Sequence, residues 1–266
     1  MFTSSLITFR ETIEAILVIS IVFAILSKQS ANWKLKKFVW FGTFVGVLLS
    51  VITAYFLQFF FGGFSGKTEQ VFEGTLMFVT TLFLTWMIIW VHKQKNLSEK
   101  IKQKLAPHIE KGYGLGIASM VAISVLREGV ETVLYLRAVG MTGSTNQLIG
   151  AVLGLILALI LGCLLFARAV KINLSAFFTA SSIFLLLFAA GLISHGVHEF
   201  QEVGLLPVFF FDPVLNISFI LSNDSIFGSF LRTIFGYTAK PTLLEIFFYS
   251  FYILIALRLQ KTVISK

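Results

Sequence analysis

Apolar positions along this chain gather into long runs separated by short polar stretches. A helix needs about 20 predominantly apolar residues to cross a hydrocarbon core about 30 Å thick. Seven runs reach that length, near 4–27, 38–61, 69–91, 115–139, 146–169, 174–200 and 241–259. The expected fold class is therefore all-α: a polytopic membrane protein with seven transmembrane helices. Residues 92–112 are polar and basic, include Pro107, and predict a loop holding a short helix. Residues 201–240 are unusually aromatic, with Phe209, Phe210, Phe211, Phe219, Phe227, Phe230 and Phe235. That stretch is too apolar for a free loop, and is expected to lie in the interface or fold back over the helices. The N-terminus does not read as a secretory signal, because it lacks a basic start and Arg10, Glu11 and Glu14 interrupt the apolar run.

Composition agrees with this pattern. Apolar residues make up 57% of the 266, charged residues only 13%, and mean hydropathy is +0.90. So few charges cannot cover the surface of a soluble domain of this length.

The formal charge of +8 is informative through its distribution. Lys28, Lys34, Lys36 and Lys37 follow the first span; Lys93, Lys95, Lys100, Lys102, Lys104 and Lys111 follow the third. Arg168 and Lys171 join the fifth to the sixth, and Arg258, Lys261 and Lys266 close the chain. Fifteen of the 21 basic residues thus fall on one side, against Lys67, Arg232 and Lys240 on the other. By the positive-inside rule the N-terminus is expected outside and the C-terminus in the cytoplasm. The charge is a topology signal, and no nucleic-acid partner is expected. Cys163 is the one cysteine. It excludes an intramolecular disulfide or a cysteine metal cluster within one chain, and reads as a small buried apolar residue.

The chain also repeats. Arg10-Glu11-Thr12-Ile13-Glu14 in the first span and Arg127-Glu128-Gly129-Val130-Glu131 in the fourth both read R-E-x-x-E. The span after each carries a G-x-x-x-G pair, Gly42/Gly46 and Gly150/Gly154, a spacing that lets membrane helices approach closely. Three helices per unit set spans 1–3 and 4–6 in opposite senses, which is an inverted repeat of the kind that builds transport sites at the midplane. The whole chain, 1–266, is expected to form a single transmembrane domain. Its parts are repeat one (1–91), repeat two (113–200), the extracytoplasmic or interfacial segment (201–240) and helix seven (241–259). At 1.5 Å per residue, Glu11 and Glu14 lie about 10–15 Å below the outer surface, and Glu128 and Glu131 about 12–17 Å. The two motifs can meet at one depth.

Charge inside a bilayer costs roughly 2.5–3.5 kcal/mol per residue on insertion scales, and residues that bear it are functional by default. Within each motif the glutamates are i,i+3 and share a helix face, while the arginine is i,i+4 from the second glutamate. Arg10–Glu14 and Arg127–Glu131 could be ion pairs that only fix helix packing. That arrangement leaves Glu11 and Glu128 without a local partner, and the two motifs together carry −2 when ionised. Such an excess raises the protonation equilibria or draws in a cation. Glu11, Glu14, Glu128 and Glu131 are the candidate transport site, with Arg10 and Arg127 balancing charge. The all-carboxylate set suits hard cations and disfavours Cu(I); ferric iron, ferrous iron, manganese and protons all remain.

Outside this site, Glu69 and Glu73 begin the third span, and His195, His198, Glu199 and Glu202 end the sixth. Four such residues on adjacent turns, two pairs at i,i+4, suggest an outer collecting site. His195-Gly196-Val197-His198-Glu199 places its glutamate after both histidines, so it is not the zinc-peptidase H-E-x-x-H. His92 and His108 lie in the basic connection and read as solvated.

The doubled R-E-x-x-E resembles the oxidase-dependent iron permease family, which includes the high-affinity iron permease of yeast and a bacterial branch. The resemblance extends to Phe72-Glu73-Gly74, Leu84-Thr85-Trp86-Met87, Ser194-His195-Gly196-Val197-His198-Glu199, and Phe235-Gly236-Tyr237 before Pro241. It runs through the whole chain and, by length, is closer to the bacterial branch. It implies a permease, not an enzyme, that takes up iron across the cell membrane, with the paired glutamates binding the ion in transit. Iron, as Fe3+ or Fe2+, is then the transported substrate, and no cofactor is implied. The resemblance also implies extracytoplasmic partners, an oxidase or peroxidase-like protein and an iron-binding protein. The alternatives are a permease for another divalent metal such as lead or manganese, a proton-coupled carrier, and an intramembrane metalloenzyme using the histidine–glutamate end of the sixth span.

Overall fold

The computed structural model describes residues 1–28, 33–61, 66–92, 97–141, 146–166, 174–207 and 235–264, with 216, 218, 219, 225, 228, 231 and 232 between the last two stretches. Lys93, Lys95, Arg168, Lys171 and Lys266 of the topology argument lie outside the described residues, as do Phe209, Phe210, Phe211, Phe227 and Phe230.

The chain is all-helical, with eight helices among the described residues. They are α1 (Phe2–Lys28), α2 (Trp33–Phe61), α3 (Lys67–His92), α4 (Leu97–Glu110), α5 (Gly114–Met141), α6 (Gln147–Phe166), α7 (Leu174–Glu202) and α8 (Leu243–Ile264). Five of them, α2, α3, α6, α7 and α8, are long and apolar enough to cross a membrane. α1 and α5 match that length, with 27 and 28 residues. Every 18-residue stretch of either, however, takes in at least three charged side chains, mostly those of its own R-E-x-x-E motif. The chain is a multi-pass membrane protein. Two expected boundaries shift: α2 begins at Trp33 rather than near 38, and α8 runs on to Ile264 rather than ending near 259.

α1 packs along α6, α2 along α5, and α3 along α7, while α7 also packs on α8 and α1 on α5. The glycine pairs explain two of these pairings. A Cβ on Gly42 would overlap the backbone of Ala118, and one on Gly46 would meet the Ala122 carbonyl at 2.8 Å. On the opposite side of the bundle, a Cβ on Gly150 would overlap the backbone of Met1, and one on Gly154 the backbone of Ser5. Only glycine lets the backbones come this close. Some hydroxyls in apolar surroundings bond within their own helices: Ser50 donates to the Gly46 carbonyl at 2.8 Å and Thr81 to that of Met77 at 2.9 Å.

α4 is the short helix expected between the third and fourth spans. Its apolar side buries Ile101 and Leu105 against Leu26 of α1, Val39 of α2, and Ile117 and Val121 of α5. It ends in a Schellman turn: Gly112 takes φ 61°, and the amide of Tyr113 donates to the His108 carbonyl at 2.8 Å. α4 is thereby fixed across one end of α1, α2 and α5, with its lysines outward.

The described end of the connection before α8 lies against α7. Gly236, at φ 65°, lies so close to Gly191 in the middle of α7 that a Cβ on Gly191 would sit 2.6 Å from its amide nitrogen. Thr242 then caps α8, its hydroxyl accepting from the amide of Glu245 at 3.2 Å. Cys163 departs from expectation: it is exposed rather than buried. Its helix turns α6 faces such as Gly154 to α1, which leaves Cys163 on the outer surface of the bundle.

Candidate metal centre

α1 and α5 cross beside each other and bring their motifs together. Glu11, Glu128 and Glu131 each present a carboxylate oxygen, and the three oxygens lie within 4.8 Å of one another. Among the described residues this is the one group of three or more such side chains that converges on a point. All three glutamates are buried. Oxygens bound to one hard cation at about 2.1 Å are at most about 4.2 Å apart, so a small carboxylate rotation closes the set around an ion. Two oxygens, Glu11 Oε2 and Glu128 Oε2, are hidden from solvent with no hydrogen-bond partner among the described residues. A buried acceptor left unsatisfied costs about 1–3 kcal/mol, more when charged. The donor set is all hard oxygen, which fits an iron ion as cargo.

The arginines do more than the i,i+4 spacing predicts. Arg10 is fully buried, and its guanidinium forks, reaching Glu11 at 2.5 Å and Glu14 at 2.6 Å. Arg127 likewise reaches Glu128 at 3.2 Å and Glu131 at 3.1 Å. The expectation that Glu11 and Glu128 lack a local partner is therefore corrected. A planar guanidinium has donors on both sides and engages two carboxylates at once. The two arginines differ in setting, with side-chain exposure of 0% for Arg10 and 30% for Arg127. Glu14 pairs with Arg10 and stands outside the converging trio.

Two further residues stand beside the trio, Tyr135 with no sequence signal and Met87 marked only as part of Leu84-Thr85-Trp86-Met87. Tyr135 donates to Glu131 at 3.2 Å, and the Met87 sulfur accepts from Arg10 at 3.0 Å. Both read as ordinary core residues in an apolar helix, so periodicity does not separate them from their neighbours.

The outer residues form a network rather than a single converging group. His198 joins Glu202 at 3.2 Å, and Glu202 accepts from Gln70 of α3 at 2.6 Å. Glu199 lies within electrostatic range of Glu73, Glu202 and Arg232, and Glu73 within range of Glu69. His195 is buried, and its Nε2 has no hydrogen-bond partner among the described residues. Sequence reasoning passed over Glu245. It is buried in the first turn of α8 and lies 2.8 Å from Nδ1 of His198. Thr242-Leu243-Leu244-Glu245 reads as a helix-capping pattern, which hides the acid's role in tying α8 to α7.

With this geometry in view, the profile of the FTR1 iron permease family matches residues 1–264 of the chain. The chain belongs to the FTR1 iron permease family. Among its relatives, the ferrous iron permease EfeU of Yersinia pestis is 34% identical over 265 residues, covering 97% of this chain and 92% of that protein. EfeU of Escherichia coli O6:H1 is 33% identical over 263 residues, covering 97% and 94%. No solved structure matches the chain. Membership makes the protein a transporter rather than an enzyme, and iron is the cargo of its family. Both R-E-x-x-E motifs of this permease lie within the matched span.

Proposed function

We propose that this permease moves iron inward across the cell membrane through one site shared by its two R-E-x-x-E motifs. The convergence of Glu11 from α1 with Glu128 and Glu131 from α5 carries this reading. Arg10 and Arg127 hold the glutamates ionised and pair with them again when the ion leaves. The relatives' name, ferrous iron permease, favours Fe2+ as the cargo.

The proposed architecture has seven spans, α1–α3, α5–α7 and α8, with α1–α3 and α5–α7 as inverted repeats. The packing supports it. Exchanging the two units turns the α2–α5 pairing into the α6–α1 pairing and leaves α3–α7 unchanged. The glycine contacts obey the same exchange, Gly42 and Gly46 on Ala118 and Ala122 answering to Gly150 and Gly154 on Met1 and Ser5. The N-terminus is then outside and the C-terminus cytoplasmic. Glu69, Glu73, His195, His198, Glu199 and Glu202, joined by Glu245, collect the ion at the outer side. An extracytoplasmic iron-binding protein delivers it there, and an oxidase or peroxidase-like partner takes part where the ion is carried as Fe3+. Rocking of one repeat against the other exposes the site inward.

The test is uptake of iron, manganese and lead in an iron-starved, uptake-deficient host. Saturable iron uptake that manganese and lead do not match is expected; a preference for either would replace iron as the cargo. Tags near residue 100 and after Lys266 should be shielded in intact cells, and one near residue 222 accessible. External labelling at residue 100 would overturn the inverted repeat.

A further inference from the structure

Between α4, α5 and α1 lies a cavity of about 840 Å³. One end is formed by Arg127 and Glu128, so it reaches the carboxylate site directly. The other is lined by Lys100, Gln103, Lys104 and His108 of α4, which stands across the mouth. In the proposed orientation this is the route by which the ion leaves for the cytoplasm.

The charge at the mouth of that route is opposite to what a bare metal cation needs. At the inner end Arg127 is already paired with Glu128 and Glu131, whereas Lys100 and Lys104 bring positive charge to the mouth, which acts on any ion that passes. The volume also falls in the range of small-ligand pockets, about 300–1,000 Å³, and is larger than a single ion requires. A basic pocket at the exit of a cation site suits an anion that also binds the cation.

Resting on the permease reading, we propose that this cavity binds a small water-soluble polyanion with oxygen donors, a tricarboxylate or phosphate, which takes the iron from Glu128. The ammonium groups of Lys100 and Lys104 hold the anion at the mouth. Its free oxygens reach toward the site and replace the glutamates as ligands one at a time. The metal then leaves as an anionic complex, which the basic mouth does not repel as it would a bare cation. The apolar side of α4 keeps the lysines in place, through Ile101 and Leu105 in the core.

Binding is measured first, without metal, by calorimetry on the protein in phosphatidylcholine nanodiscs with citrate or inorganic phosphate. Saturable one-to-one binding is expected, weakened at least tenfold by the double substitution Lys100→Gln/Lys104→Gln. Transport of Fe2+ is measured without oxygen in proteoliposomes loaded with citrate or with a dextran-linked bipyridyl chelator too large for the cavity, at equal iron capacity. Faster initial uptake with citrate is expected, and the double variant should lose that difference. Absence of saturable binding, or equal binding by the variant, overturns the proposal. So does an anion site occupied only when the nanodisc contains phosphatidylglycerol, which would make it a lipid headgroup site. Uptake by the unaltered protein into dextran-chelator vesicles tests the permease reading separately, because the cavity ligand plays no part there.

Discussion

The hydroxyl of Tyr135 donates to Glu131, one turn back along α5, across 3.2 Å. It also lies 3.6 Å from the sulfur of Met87, the atom that accepts from Arg10 at 3.0 Å. Tyr135 and Met87 are both fully buried. They link the charged groups of both motifs. The α4 cavity meets the same carboxylate site at Arg127 and Glu128.

Tyr135→Phe keeps the buried ring and removes only the hydrogen bond. A hydrogen bond to a charged group contributes about 1.5–3 kcal/mol, so a modest loss of thermal stability is expected with membrane yield retained. Without its tether Glu131 samples other rotamers, and the half-saturating iron concentration should rise several-fold. Uptake measured against iron concentration checks this. An unchanged curve would show that the hydroxyl does not position Glu131.

The two arginines should respond unequally to substitution. Arg10→Ala leaves two carboxylates and a fully buried pocket uncompensated, and breaking such a pair costs about 3–5 kcal/mol. Folded yield should collapse. Arg10→Lys keeps the charge but not the fork that holds Glu11 and Glu14 together, so yield should recover while only part of the uptake returns. Arg127→Ala should retain more folded protein than Arg10→Ala, because its side chain is 30% exposed toward the cavity. Equal yields for the two alanine variants would contradict the difference in burial.

Gly42→Ala and Gly154→Ala should damage the protein alike. Each adds a methyl where the neighbouring helix backbone already stands, at Ala118 and at Ser5. Overpacking of this kind costs about 1–3 kcal/mol, and both should lower the melting temperature of the purified protein. Harm from one and not the other would break the equivalence of the two units.

Much of this was legible before the structure because membrane helices announce themselves by length, and intramembrane charge by its rarity. Arg10, Glu11, Glu14, Arg127, Glu128 and Glu131 stand out for that reason, and counting residues already allows the two motifs to meet, as Glu11, Glu128 and Glu131 do. What stayed hidden depends on rotation and on contacts distant in sequence. Periodicity says that α3 is apolar, not that Met87 is the residue facing Arg10. Nor does it say that the capping pattern at Thr242 sends Glu245 to His198. The forked pairing of each arginine was missed because spacing rules treat one partner at a time. Cys163 was misjudged because apolar residues in a membrane helix face lipid as readily as protein.

The last prediction separates one shared site from two packing pairs. Glu11→Gln and Glu128→Gln keep the size and a carbonyl acceptor but remove the negative charge that a hard cation requires. If the trio holds the ion, either variant removes a ligand, so each alone should abolish uptake and the double variant should be no worse than the singles. Non-additivity of that kind marks residues acting as one unit. Glu14 stands outside the trio, paired with Arg10, so Glu14→Gln should lower uptake less than Glu11→Gln does. If the motifs served only packing, each single variant would leave an arginine undercompensated. Folded yield would then fall with uptake, and the double variant would fall further. Uptake and folded membrane yield measured side by side distinguish the two. Normal yield without uptake in both singles supports a shared site, and normal uptake in either would remove that glutamate from the path of the ion.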